Sequence, residues 1–436
     1  MDKISVGLLG FGTIGTGVVK VIQKNSALLQ ERLGFPVQLA GIADLDIITD
    51  RGVAVDRSLL TTDADALLDD PSIQVIIELI GGYEPARTFV LKAISQGKHI
   101  VTANKALLAK HGDEIFAAAE AAGVNVMFEA AVGGGIPVIS AIKENLCANR
   151  FHSLFGILNG TCNYILTSMA EDGDDFATVL KDAQEKGYAE ADPTFDIEGV
   201  DTAHKLALLC SLCFGTRVDF DKIYTEGISK VTALDIEFAG VFGYKLKLLA
   251  IGKIDNGYIE ARVHPTMIPE SYPLADIGGV FNAVRLVGDF VGPVLLSGHG
   301  AGSEATASAV MGDVLSIARD LATGGRLHTP PMSCPQAAFR DLKIKPMEEI
   351  SSCYYLRFFV KDQPGVLGTI TGILGKFQIS IESMMQPHRH EAQAVPIVLM
   401  THEASENNIQ AALAEIDRQE IIEGASLFIR VENQLD

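Results

Sequence analysis

Short apolar runs alternate with stretches of helical period over the first third of the chain. Ile4-Ser5-Val6-Gly7-Leu8-Leu9 reads as a strand, followed by a helical pattern to about Leu33 and a second strand over 37–43. Residues 75–80, 99–103 and 125–129 read as buried strands, with helices over 85–96 and 107–122 between them. That alternation predicts an α/β fold whose N-terminal part is a Rossmann-type, doubly wound parallel sheet with right-handed crossovers. From 150 to 300 the alternation lapses. Strand-like residues 153–158, a helix over 200–214 and further segments near 227–229, 247–254 and 261–265 point to an α+β substrate and dimerisation domain.

A glycine-rich run at Gly298, Gly300 and Gly302 then opens a helix to about Leu321, which is expected to return to the first domain; His299 within it reads as a loop residue with no acid to pair it. Three prolines in T-P-P-M-S-C-P, residues 329–335, mark a linker. Beyond it, strands over 354–360, 379–385, 395–400 and 425–431 enclose helices over 364–377 and 405–416. This is a βαββαβ order, with Pro364 in the first helical turn and Ser405 as an N-cap. The expected organisation is a dinucleotide-binding domain at 1–135, rejoined by about 298–325, a substrate domain at 136–297, a linker at 326–350 and a small C-terminal domain at 351–436.

Composition narrows the function classes. A length of 436 residues calls for two or three cores. The net charge of −20 argues against nucleic-acid or anionic-membrane partners, which need clustered Lys and Arg. Six scattered cysteines show no disulfide or zinc spacing; Cys210 and Cys213 form a CxxC inside an apolar helix, where small buried side chains are expected. With no signal peptide and no membrane-spanning run in the sequence, a cytoplasmic protein is expected.

Chemistry enters with G-F-G-T-I-G at Gly10, Phe11, Gly12, Thr13, Ile14 and Gly15, set between the first strand and its helix. Gly10 allows the tight turn, Gly12 lets a pyrophosphate approach the backbone, and Gly15 lets the helix pack on the strand. Asp44, at the end of the second strand, is positioned for an adenosine ribose and favours NAD; Arg51 and Arg57 follow closely and suit a 2′-phosphate, so the preference for NAD over NADP is slight. Ligands of such sheets sit beyond the carboxyl ends of the strands, which puts Thr102, Asn104 and Lys105 at the crevice.

A second concentration of chemistry lies in A-Q-E-K-G-Y-A-E-A-D-P-T-F-D-I-E-G-V-D-T-A-H-K, residues 183–205, with six carboxylates and two lysines. Asp201 and Lys205 share a helix face at i, i+4, and Glu190, Asp192 and Asp196 precede them on a loop. A buried lysine among acids suits an ammonium-bearing substrate and proton transfer. A third run, E-A-A-V-G-G-G-I-P from Glu129 to Pro137, reads as a hinge whose glycines free carbonyl oxygens of the kind hard cations prefer.

These residues together resemble bacterial homoserine dehydrogenases over essentially the whole chain. The resemblance rests on Ala183, Gly187, Tyr188, Glu190, Asp192-Pro193, Asp196, Gly199, Asp201 and Lys205, on N-G-T-C-N-Y at 159–164, and on T-A-N-K ending at Lys105. It implies reversible interconversion of L-homoserine and L-aspartate 4-semialdehyde with NAD or NADP. Lys205 would be the acid/base and Lys105 its electrostatic aid. It further implies substrate contacts from Glu190, Asp201, Gly160, Thr161 and Tyr188, and cofactor contacts that include Gly187 and Gly302. A structural Na+ would lie at Glu129, Val132, Gly134 and Ile136. The C-terminal segment, with D-Q-P-G-V-L at its first turn, resembles an ACT domain, which implies L-threonine feedback in a homodimer or homotetramer. Two alternatives compete with this reading. A dehydrogenase forming an acyl phosphate would need an activated cysteine, and Cys147 and Cys162 lack a partner base. A non-catalytic sensor would not need Lys205 and its acids.

Overall fold

The structure is a computed structural model that describes residues 1–324, 329–386 and 394–435. The chain packs as two compact units: 1–160, 200–223 and 280–342 form one, and 161–199, 224–279 and 343–436 the other. Residues 325–328, at the head of the expected linker, lie outside the described residues.

The first unit contains the parallel sheet. Its six strands run in the order Leu60–Thr61, Val37–Ala43, Ile4–Leu9, Val75–Glu78, His99–Thr102, Val126–Met127, and every pairing is parallel. The strand order reverses between Ile4–Leu9 and Val75–Glu78, which opens a crevice at their carboxyl ends. Ile4, Val6, Leu8, Val75, Ile77 and Val101 are buried against Val18, Val19 and Ile22 of helix Thr13–Lys24 and against Val310, Val314 and Ile317 of helix Ser303–Ala322. The residues before Leu33 form two helices, because the backbone turns at Asn25 before Ser26–Leu33 begins. The run 125–129 yields only the two-residue strand Val126–Met127. Glu129 instead starts a 3₁₀ turn, where its carboxylate finds backbone donors.

Three antiparallel strands, Phe151–Ile157, Phe281–Gly288 and Gly292–His299, complete this unit. The hairpin of the last two escaped the sequence reading. His299 ends its second strand and stacks on Phe281 with ring centroids 4.7 Å apart. Cys210 and Cys213 lie inside helix Val200–Phe214, where burial pushes both thiols far up and leaves them inert.

In the second unit, strands Tyr244–Asp255 and Tyr258–Pro269 pair along twelve residues each. They join at Asn256-Gly257, both at positive φ, as a tight hairpin requires. The C-terminal elements are Ser351–Val360, Val366–Lys376, Ile381–Met385, Val395–Thr401, Glu406–Ile416 and Leu427–Val431, the expected βαββαβ order. Ser405 caps its helix through the Asn408 N–H. Pro364 falls just before its helix, because Gly365 at φ 91° is the N-cap. Strand Leu427–Val431 also pairs in parallel with Tyr258–Pro269, at Arg430 and Val431, so the C-terminal sheet continues the long hairpin.

Candidate active site

The glycine-rich turn leaves room for side chains at few of its positions. Gly10 sits at φ 97°, where a Cβ would meet the Leu79 carbonyl oxygen at 2.6 Å, and a Cβ on Gly15 would meet the Gly10 oxygen at 2.2 Å. Around Gly12 nothing lies within 4 Å of that position, so an anion can reach the backbone. The Ser303 hydroxyl donates to the Thr13 carbonyl at 2.6 Å, and Gly302 at φ 117° is the N-cap of that second helix. Asp44 accepts from the Phe11 N–H at 2.5 Å and the Asp46 N–H at 2.8 Å, tying the second strand to the glycine turn.

Two neighbouring strands, Val75–Glu78 and His99–Thr102, end in polar side chains beside the crevice. Thr102 ends its strand and donates its hydroxyl to Glu78 at 2.6 Å; the same Glu78 accepts from the Ile80 and Gly81 N–H groups. Burial pushes the Glu78 carboxyl up, against the pull of those donors. Sequence reasoning missed Glu78, whose only signal is a carboxylate closing the apolar strand V-I-I-E. Asn104 caps helix Lys105–Ala122 through the Leu107 N–H, which makes Lys105 its first residue. A lysine there opposes the helix dipole and needs a counter-charge.

That charge is Asp201. Helix Val200–Phe214 carries Asp201 and Lys205 one turn apart, 3% and 8% exposed. Asp201 Oδ1 stands 3.0 Å from Lys105 Nζ, and its Oδ2 accepts from Lys205 Nζ at 2.7 Å and from Asn159 Nδ2 at 3.0 Å. Lys205 also donates to the Leu158 carbonyl at 2.6 Å, just past the end of strand Phe151–Ile157. Burial alone would raise the Asp201 carboxyl; Lys205 first and Lys105 next outweigh it and hold the group far below the usual carboxylate range. The two lysines that sequence left 100 residues apart are bridged by one buried carboxylate. Beside them, His204 stacks on Phe220 at 4.0 Å, and burial pushes its imidazole down to about 4.

The other expected substrate residues lie in the second unit, apart from Gly160 at the start of helix Gly160–Asp172, where a Cβ would meet the Val280 oxygen at 2.9 Å. Thr161 donates its hydroxyl to the Tyr188 carbonyl at 2.6 Å and lies 3.3 Å from an Asp196 carboxylate oxygen. Asp192 accepts from the Thr194 N–H and hydroxyl, and Gly187 turns the chain at φ 74°. Glu190 and Tyr188 are exposed.

At the hinge, the buried Glu129 carboxylate accepts from the Ile139 and Ser140 N–H groups, and its own N–H donates to Asp313. Burial with Glu129 nearby pushes Asp313 up to about 8. The Ile136 carbonyl accepts from the Val138 N–H, whereas among the described residues the carbonyls of Val132 and Gly134 accept no hydrogen bond. Among the described residues no three His, Cys, Asp or Glu side chains converge as a metal centre, and no helix is long and apolar enough to cross a membrane.

Comparison with known proteins gives the family. The family described as homoserine dehydrogenase matches residues 137–315, its NAD-binding domain matches 10–129, and the ACT domain matches 354–420. The chain is similar to the homoserine dehydrogenase of Pseudomonas aeruginosa, with 46% identity over 435 residues and 99% of each chain covered. It is similar to that of Neisseria gonorrhoeae at 44% identity over the full length of both. The solved structure of a homoserine dehydrogenase from Thiobacillus denitrificans matches with a TM-score of 0.93 at 46% identity, covering 99% of each chain. A nucleotide fold, a carboxylate-bridged lysine pair and a C-terminal ACT domain therefore stand in one chain that belongs to the homoserine dehydrogenase family.

Proposed function

We propose that this protein interconverts L-homoserine and L-aspartate 4-semialdehyde, that Lys205 exchanges the proton, and that L-threonine bound through the ACT domain restrains the activity. The observation that carries the catalytic reading is Asp201, bridging Lys205 and Lys105 at the carboxyl end of a dinucleotide-binding sheet. A bound nicotinamide supplies or accepts the hydride. The backbone of Gly10 to Gly15 suits its pyrophosphate, and Asp44 has lone pairs left for ribose hydroxyls after accepting two N–H groups.

In reduction, Lys205 gives a proton to the substrate oxygen as it gains charge; in oxidation it takes that proton from the hydroxyl. Lys105 steadies the same oxygen by charge. Asp201 keeps both ammonium groups oriented, and Glu190 is assigned to the substrate ammonium. The carbonyls of Val132 and Gly134 fit a Na+ in the hinge, with Ile136 and the Glu129 carbonyl as further oxygen donors. NAD is the favoured cofactor because Asp44 repels a 2′-phosphate.

The test is homoserine-dependent reduction of NAD and of NADP by the intact protein, with and without saturating threonine. Reduction that depends on homoserine supports the reaction, and a lower rate with threonine supports the feedback. No homoserine-dependent reduction with either cofactor would discard the first, and an unaltered rate across pH and salt the second.

A further inference from the structure

The loop after Asp44 contains a second carboxylate whose partner is a potential phosphate ligand. Asp46 accepts from the Ile48 and Thr49 N–H groups through Oδ1, at 3.1 and 3.0 Å, which fixes its side chain. Its Oδ2 then faces Arg51 Nη2 at 3.1 Å, and that guanidinium also donates to the Asp46 carbonyl at 3.3 Å. The Asp46 N–H donates to Asp44, so Asp44, Asp46 and Arg51 form one contiguous chain at the end of the second strand. Hydrogen bonds from Thr49, then Ile48, hold the Asp46 carboxyl down at about 2, and it stays ionised. Arg51 Nε is buried with no hydrogen-bond partner among the described residues. Arg57, the other nearby cation, is exposed and makes no ion pair among the described residues.

We propose that Asp46 sets the cofactor preference by clamping Arg51, and that without this clamp the guanidinium would hold the 2′-phosphate of NADP. The inference rests on the dinucleotide-binding reading of this crevice. With two carboxylates beside the pocket and Arg51 matched to one of them, the acids outnumber the arginine at the ribose, which disfavours a phosphate. Removing the Asp46 charge leaves Arg51 without its carboxylate partner, and a guanidinium fork matches phosphate oxygens in pairs.

The experiment compares the intact wild-type enzyme with Asp46→Asn, which retains an oxygen for the Ile48 and Thr49 donors. Dissociation constants for NADH and NADPH are read from nicotinamide fluorescence, beside kcat/KM for homoserine oxidation with NAD and NADP. The variant is expected to move both ratios toward the phosphorylated cofactor by about tenfold, the worth of one charge-assisted contact. Arg51→Leu added to Asp46→Asn is expected to abolish the shift. Ratios within about twofold of wild type in Asp46→Asn, or a shift that survives Arg51→Leu, would overturn the clamp. A wild-type protein that already binds NADPH more tightly overturns it too. Binding of neither nucleotide by the wild type would instead remove the dinucleotide reading itself.

Discussion

A protonated Lys205 has three N–H donors, and two are committed to the Leu158 carbonyl and to Asp201. The third is left over, and the proposed proton transfer would use it toward the substrate oxygen. Lys205→Met is therefore expected to lower turnover by roughly 10²–10⁴-fold while NADH affinity, followed by fluorescence, stays within about twofold. Near-normal homoserine oxidation would remove Lys205 from the proton-transfer role. His204 supplies a pH dependence of stability. Burial holds its folded value at about 4, below an unfolded value near 6.5, and Asp201 only partly opposes that shift. Between those values the unfolded chain takes up a proton that the folded chain refuses, so the His204 contribution to stability falls as pH drops through the window. His204→Gln should gain stability relative to wild type by about 2 kcal/mol between pH 7 and pH 4.5, read from denaturant melts. A constant difference across that range would refute the assignment. The residue types of this site were legible from their motifs; Glu78 was not, since one acid at a strand end has no period or spacing to announce it.

Whole elements were easiest to read where one period persists. Helix Val200–Phe214 matches its predicted bounds, and five of the six parallel strands coincide with short apolar runs; the two-residue edge strand Leu60–Thr61 is too short to show a period. Asn256-Gly257 is a hairpin signal legible between two long strands. What the sequence could not offer was the anchoring of one element by another distant in the chain. Helix Ala233–Val241 begins with a capping box between Thr232 and Asp235. Asp235, fully buried, is also gripped by Arg357 Nε at 2.6 Å and by the Tyr355 hydroxyl at 3.0 Å, both from strand Ser351–Val360. Arg357→Met would leave this acid buried without its counter-ion, and an unfolding free-energy loss of about 3–5 kcal/mol is expected in denaturant titration. Adding Asp235→Ala should recover part of it; a loss below about 1 kcal/mol in the single variant would show that the pair contributes little.

On the scale of the molecule, the ACT segment is built into its unit rather than tethered to it. Arg430 pairs with Thr266 of the long hairpin and Val431 with Met267, and the Arg430 guanidinium binds Glu406 and Glu226 while stacking on Tyr224 and Phe428. Cutting the chain after residue 342 would strip Glu226 and Asp235 of their arginines together. The truncated protein is expected to melt about 10 °C lower than the full chain in calorimetry, from several kcal/mol of lost pairing. An unchanged melting temperature would mean that the segment folds and holds independently.

By itself the sequence determined the alternation of the parallel sheet, the βαββαβ order of the C-terminal segment, the glycine turn and the two candidate lysines, because period, turn chemistry and helix spacing are local properties. Only the tertiary structure decided that Asp201 joins Lys205 to Lys105, that Glu78 lies under the crevice, and that Asp46 holds Arg51. Those pairings depend on which strand ends and loops meet in space, and a charge is matched by whichever partner burial brings within a few ångströms.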